Sequence, residues 1–225
     1  LLQHAERVLG PTHRDLRWYD TQRKKRVTKQ SFFEQYAWSL LVWNRSRASA
    51  ESFARNRRFW QVITLASTVA QRPSTLLRQL GVDPHNSFGR RILAIVQLGR
   101  RLGAMSEASF RRVFFKNESV SARLSHRHAT HLRSLRLYGV GPANAAFIVR
   151  NMGGELLKCD RWILALLDET RLSAGHFQQA AQALGWGLGR VDAVLWSYCE
   201  QEVNVTSSLP SHLRALGFTA PWTST

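Results

Sequence analysis

Residues 137–146 read LYGVGPANAA, two glycines and a proline followed at once by a run of small residues. Upstream, HATHLRSLRLYG supplies a helix with Leu132 and Leu135 on one side. Gly139 then permits a sharp left-handed turn, and Gly141 removes a second Cβ. Pro142 suits the first turn of a new helix, where its missing N–H costs nothing. ANAAFIVRNMG continues as that helix, opened by residues small enough to let another backbone approach. The stretch therefore predicts two helices joined by a glycine hairpin whose N–H groups point outward. Two readings fit it equally: an anion site at a helix start, or a plain corner packed in a core.

Composition narrows the choice. The 225 residues are enough for a full hydrophobic core, as one domain or two small lobes. At 44% hydrophobic the chain is a folded protein and not a basic tail. Lys and Arg number 32 against 15 Asp and Glu, a formal charge of +17 that suits a polyanion, nucleic acid first. Most of the excess is arginine, whose planar fork matches phosphate oxygens. A basic surface kept for solubility is the bland alternative. Cys159 and Cys199 make neither a disulfide framework nor a four-thiolate metal site. The first residues lack the apolar core of a signal peptide, and no apolar run is long enough to span a bilayer. We expect a cytoplasmic location, nucleoid-associated, or nuclear in a eukaryote.

The periodicity is helical throughout, so the expected fold class is all-α. Phe33, Tyr36, Ala37, Leu40 and Leu41 share one helix face, with Ser31 and Glu34 at capping-box spacing. Ile92, Ile95, Val96 and Gly99 repeat that spacing between Arg90, Arg91, Arg100 and Arg101. CDRWILALLDE starts on an aspartate and runs on apolar, as a capped buried helix does. QQAAQALG and VDAVLWSYCEQEV add two more helices, and no stretch alternates as a strand would. Residues 1–30 read as a basic N-terminal segment, with DTQRKKRVTKQ over 20–30 as a solvated arm. Residues 31–205 hold the fold, with the hairpin at 130–152, and 206–225 form a tail.

Asp160 lies one helix and the Gly153-Gly154 turn beyond the hairpin, at the start of the next helix. The macrodipole favours a carboxylate there. As an N-cap alone it is worth on the order of 1 kcal/mol. Taken together, L-x-G-V-G-P-x-x-A-A, K-C-D-R-W, the helix end LLVWNRS and the closing AVLWSYCE resemble the HhH-GPD superfamily of DNA glycosylases. That superfamily is named for a helix–hairpin–helix, a Gly/Pro-rich loop and an aspartate. The resemblance covers most of the chain.

The resemblance implies two helical lobes around a central DNA- and base-binding cleft. Gly139, Gly141 and the helix start near Ala145 would grip a phosphate of double-stranded DNA. The carbonyls of Leu135, Leu137 and Val140 would hold a structural K+ or Na+. Asp160 would face C1′ of a nucleotide turned out of the duplex and stabilise positive charge on its sugar. Asn44 and Arg45 match the segment that fills the gap left by the flipped base. Trp162 and Trp43 are the candidate walls of the base pocket, with Trp38 and Trp186 behind them. Lys158 is expected as a phosphate contact. His126, His128 and His131 are expected to face DNA or solvent.

Two departures from the family sharpen the expectation. Bifunctional relatives carry a lysine in the hairpin helix that forms a Schiff base with the sugar. Ala143 stands at that position, so the implied enzyme is monofunctional and leaves an abasic site without strand cleavage. Lys158 is the competing candidate for a lyase. Only Cys199 follows Asp160, so no iron–sulfur cluster is expected. The substrate stays open between a damaged or mismatched base in repair and a hypermodified cytosine of phage DNA in antiviral defence. A catalytically silent DNA-binding protein is the alternative of another class. We expect a monomer that does not associate with membranes.

Overall fold

The computed structural model describes residues 1–42, 52, 55–158, 160–203 and 209–216. Trp43, Asn44 and Arg45 lie outside the described residues. Among the described residues the chain is helical and contains no β-strand. It divides into two compact units.

The first unit comprises Leu1–Lys25, Val120–Arg127 and Val149–Thr225. Its helices include α1 (Leu2–Leu9) and α2 (Arg14–Arg23), both of which pack on a helix late in the sequence. Leu2, Ala5, Leu9, Leu16 and Tyr19 are buried in its core. Residues 20–30 are therefore no solvated arm: α2 runs to Arg23, and Val27 is fully buried. The charge run misled because its few apolar residues, not its many charges, decide where the backbone goes.

The second unit comprises Arg26–Ser119 and His128–Ile148. It holds α3 (Lys29–Val42), α4 (Arg57–Val62), α5 (Leu65–Ala70), α6 (Pro73–Leu80), α7 (Ser87–Gly103) and α8 (Glu107–Phe115). The expected α3 face, Phe33 to Leu41, is buried, and so is the α7 face of Ile92, Ile95, Val96 and Gly99. Phe32, Phe110, Phe114 and Phe115 form an aromatic cluster beside them, with ring centroids 5.0–5.8 Å apart. The α3 cap differs from expectation. Thr28 holds it: its Oγ1 accepts the Ser31 N–H, and Ser31 Oγ accepts the Thr28 N–H, both at 3.1 Å. The helix starts earlier than Ser31 because that residue serves as the third-position partner of the box.

After a 3-10 turn at Ser121–Arg123 come α9 (His126–Ser134), α10 (Pro142–Asn151), α11 (Arg161–Thr170), α12 (Ala174–Ala183), α13 (Leu188–Tyr198) and α14 (Leu209–Ala215). A π-helical turn at Cys199–Val203 follows α13. α13 is the central helix of the first unit, packed against α1, α2, α11 and α12. The tail region thus contains a packed helix, since Leu209 and Leu213 of α14 are buried. No described helix is long and apolar enough to cross a membrane.

Candidate active site and hairpin

The hairpin joins α9 to α10. Gly139 has φ 70°, the left-handed region a glycine allows without strain. Arg136 also lies there, at φ 51°, a second left-handed position that the sequence did not announce. The turn is closed by the Val140 N–H donating to the Leu137 carbonyl at 3.1 Å. Asn144 Nδ2 donates to the Gly139 carbonyl at 2.7 Å, and the Tyr36 hydroxyl of α3 donates to the Tyr138 carbonyl at 3.0 Å. These two bonds brace the hairpin from both sides.

Pro142 occupies the first turn of α10, as expected. Among the described residues, no hydrogen bond falls on the amides of Gly141, Ala143 and Asn144. Gly141, Pro142 and Ala143 are exposed, and a Cβ built on Gly141 would meet nothing within 4 Å. Gly141 is thus not required by packing, and its small size leaves room beside open amides for an anion. Ala145 is a correction. Its N–H donates to the Gly141 carbonyl at 2.9 Å, the first bond of the helix, and its side chain is buried. The open amides lie one and two residues earlier, where a helix has no acceptor to offer them.

Asp160 belongs to the first unit, where it is the N-cap of α11. Its Oδ1 accepts the N–H groups of Trp162 and Ile163 at 3.0 and 3.2 Å. Its Oδ2 is paired with Lys158 Nζ at 2.6 Å. The Asp160 side chain keeps 18% exposure and the Lys158 side chain only 6%. Lys158, expected as a phosphate contact, is therefore an interior lysine whose ammonium is directed to Asp160. Burial pulls its amine below the usual lysine range, and the Arg150 guanidinium pulls the same way, against the opposing pull of Asp160 and Asp192.

Behind this pair stands a group that the sequence did not reveal. Asp192 of α13 is completely buried, accepts Arg150 Nε on Oδ2 at 2.8 Å and accepts the Lys158 backbone N–H on Oδ1 at 2.6 Å. Burial pushes the Asp192 carboxyl above the usual carboxylate range, while Arg150 and Lys158 pull it down. Trp196, one turn further along α13, has Lys158 Nζ 5.2 Å and Arg150 Cζ 5.8 Å from its ring centroid. A carboxylate and an indole four residues apart were the available signal, since they share a helix face.

The expected base-pocket wall Trp162 is 3% exposed and part of the first unit's core. Trp186 is half-buried, with Arg190 Cζ 5.4 Å from its ring centroid. Trp38 belongs to the second unit and lines a cavity of about 460 Å³ with Phe33, Gln35 and Trp60. His128 is fully buried and does not face solvent as expected; His131 is half-buried with Nε2 2.7 Å from the Val113 carbonyl, and His126 is exposed. No group of His, Cys, Asp and Glu among the described residues can hold a metal ion.

A comparison with protein-family models finds no match, and one with curated proteins finds none either. Among solved structures, the chain is similar to that of Methanocaldococcus jannaschii 8-oxoguanine glycosylase/lyase in complex with a 15mer DNA containing 8-oxoguanine. The TM-score is 0.57 at 17% identity, over 91% of this chain and 98% of that one. The all-helical chain, with its helix–hairpin–helix, therefore has the fold of that glycosylase/lyase.

Proposed function

We propose that the chain is a DNA glycosylase that hydrolyses the N-glycosidic bond of a base turned out of double-stranded DNA. The observation that carries this is Asp160, N-capping α11 beside a buried lysine in a chain with a glycosylase fold. As the C1′–N bond breaks, its electron pair leaves with the base and positive charge grows on the sugar. A carboxylate held in place by two amides stabilises that charge without having to reorganise. Water adds to C1′, its proton passing to the Asp160 carboxylate and on to solvent, and an abasic site remains.

The hairpin supplies the grip on DNA. The amides of Gly141, Ala143 and Asn144 bind a backbone phosphate, which fixes register and carries no sequence information. The carbonyls of Leu135 and Val140 accept no bond among the described residues, and Leu137 keeps a lone pair beyond the one that Val140 uses. Neutral oxygens of this kind fit a K+ or Na+, which would tie the turn together next to the phosphate. Gly141→Asp tests the grip. Aspartate is a good N-cap and would satisfy the open amides itself. The melting temperature should hold or rise, while affinity for duplex DNA falls about tenfold or more from the charge set against phosphate.

Ala143 puts no amine in the hairpin helix, which supports a monofunctional enzyme. Lys158 supports a second reading, since burial pulls its amine toward the neutral, nucleophilic form against the opposing pull of Asp160. The substrate class is a damaged or mismatched base, with a bulky modified cytosine of phage DNA as the alternative. One assay separates these. Purified protein is incubated with DNA carrying alkylated, oxidised or deaminated bases, and with phage DNA carrying glucosylated hydroxymethylcytosine. Abasic sites are counted before and after alkali. Breaks that need alkali support the monofunctional enzyme, whereas breaks without alkali that vanish in Lys158→Ala make it a lyase. Tight binding with no release from any DNA leaves a silent DNA-binding protein.

A further inference from the structure

We infer that Asp192 is a positioning residue for Asp160, acting through Lys158 and anchored by Arg150; this rests on the glycosylase reading above. The four groups alternate in charge, from Arg150 through Asp192 and Lys158 to Asp160, with links of 2.8, 2.6 and 2.6 Å. The middle link is to the Lys158 backbone, so Asp192 fixes the main chain two residues before Asp160. Residues 156–158 belong to neither a helix nor a strand, so no regular ladder holds the main chain there and the Asp192 carboxylate does. The side chain of Lys158 then spans from this anchor to Asp160 Oδ2, with the Trp196 ring beneath its ammonium. Exposure is below a tenth at Arg150, Asp192 and Lys158 and rises only at Asp160. The cluster is an interior scaffold ending in one solvent-facing carboxylate.

Stability does not account for such a scaffold. Replacing a buried ion pair by apolar side chains of similar volume is often neutral or stabilising. What the polar version supplies is direction: Asp160 Oδ1 is fixed by the α11 amides and Oδ2 by Lys158, so the carboxylate plane has one orientation. A shift of about 1 Å in that plane is enough to slow chemistry roughly 100-fold.

The test uses the whole protein and two variants, Asp192→Asn and the double replacement Arg150→Met with Asp192→Leu. The second removes both charges at once and keeps an apolar filling, so it folds even where the single change does not. Circular dichroism establishes folding, fluorescence anisotropy gives the affinity for duplex DNA, and single-turnover base release gives the rate of chemistry. The expected result is a folded variant with wild-type affinity, within about twofold, and release slowed about 100-fold. Wild-type release from a folded variant overturns the role of Asp192 and leaves the glycosylase reading intact. Absence of release from the wild-type protein on every DNA overturns both.

Discussion

Asp160→Asn lowers the rate of base release by about 10²- to 10³-fold, in the range set by removing one group from a preorganised charge-stabilising site. The substitution keeps the helix cap while removing the charge. Asparagine is as good an N-cap as aspartate, so its side-chain oxygen can still accept the Trp162 and Ile163 amides. What disappears is the negative charge that the proposed mechanism sets against the sugar, and the partner of the Lys158 ammonium. The hairpin amides proposed to hold a phosphate lie elsewhere in the sequence and are untouched by the change. Duplex affinity measured beside base release separates the two possible roles. Loss of release at constant affinity makes Asp160 catalytic, and a parallel loss of both makes it a structural cap.

Trp162→Ala is the second large effect, and it falls on stability. Emptying a buried tryptophan site costs about 3–5 kcal/mol. For a chain of this size that lowers the melting temperature by roughly 10 °C. The ring lies in the core that also holds Leu166, Val194 and Tyr198, so the deletion leaves a cavity between helices and not an open pocket. The Trp162 amide that caps on Asp160 belongs to the main chain and survives the change. Release by the folded fraction, assayed well below the transition, should stay within a few-fold of wild type. A stable variant that has lost base release would restore Trp162 as a wall of the base pocket.

These two residues show how far a sequence reaches and where it stops. Asp160 was legible because a helix cap is a local event: an aspartate before an apolar periodic run specifies its own geometry. Gly139 was legible for the same reason, since a left-handed turn before a proline-started helix needs a residue without Cβ. The faces of α3 and α7 followed from period alone. Trp162 went the other way because an aromatic near a functional residue is equally suited to a core. Only the packing of α11 in the first unit decides which it is. Lys158 was misplaced because nothing in K-C-D tells whether a lysine faces water, and its main chain is held by Asp192, 34 residues further along. Ala145 was a residue or two too late by a simple count: its amide is the first to find an acceptor in the helix.

The two units are interleaved along the chain, and this governs how the protein must be assembled. The second unit is complete once Ile148 has been made. The first is opened by α1 and α2 but waits for α13, the helix on which both pack. At ribosomal speeds of about 5–20 residues per second, roughly 10–35 s separate the emergence of Leu9 from that of Leu188. Through that interval Leu2, Leu9 and Leu16 have an apolar stripe and no surface to bury it on. The apolar stripe of α1 and α2 is therefore made long before the helix that covers it. Chaperone demand during synthesis should track the delay before α13, and slowing translation beyond Ile148 should lengthen it.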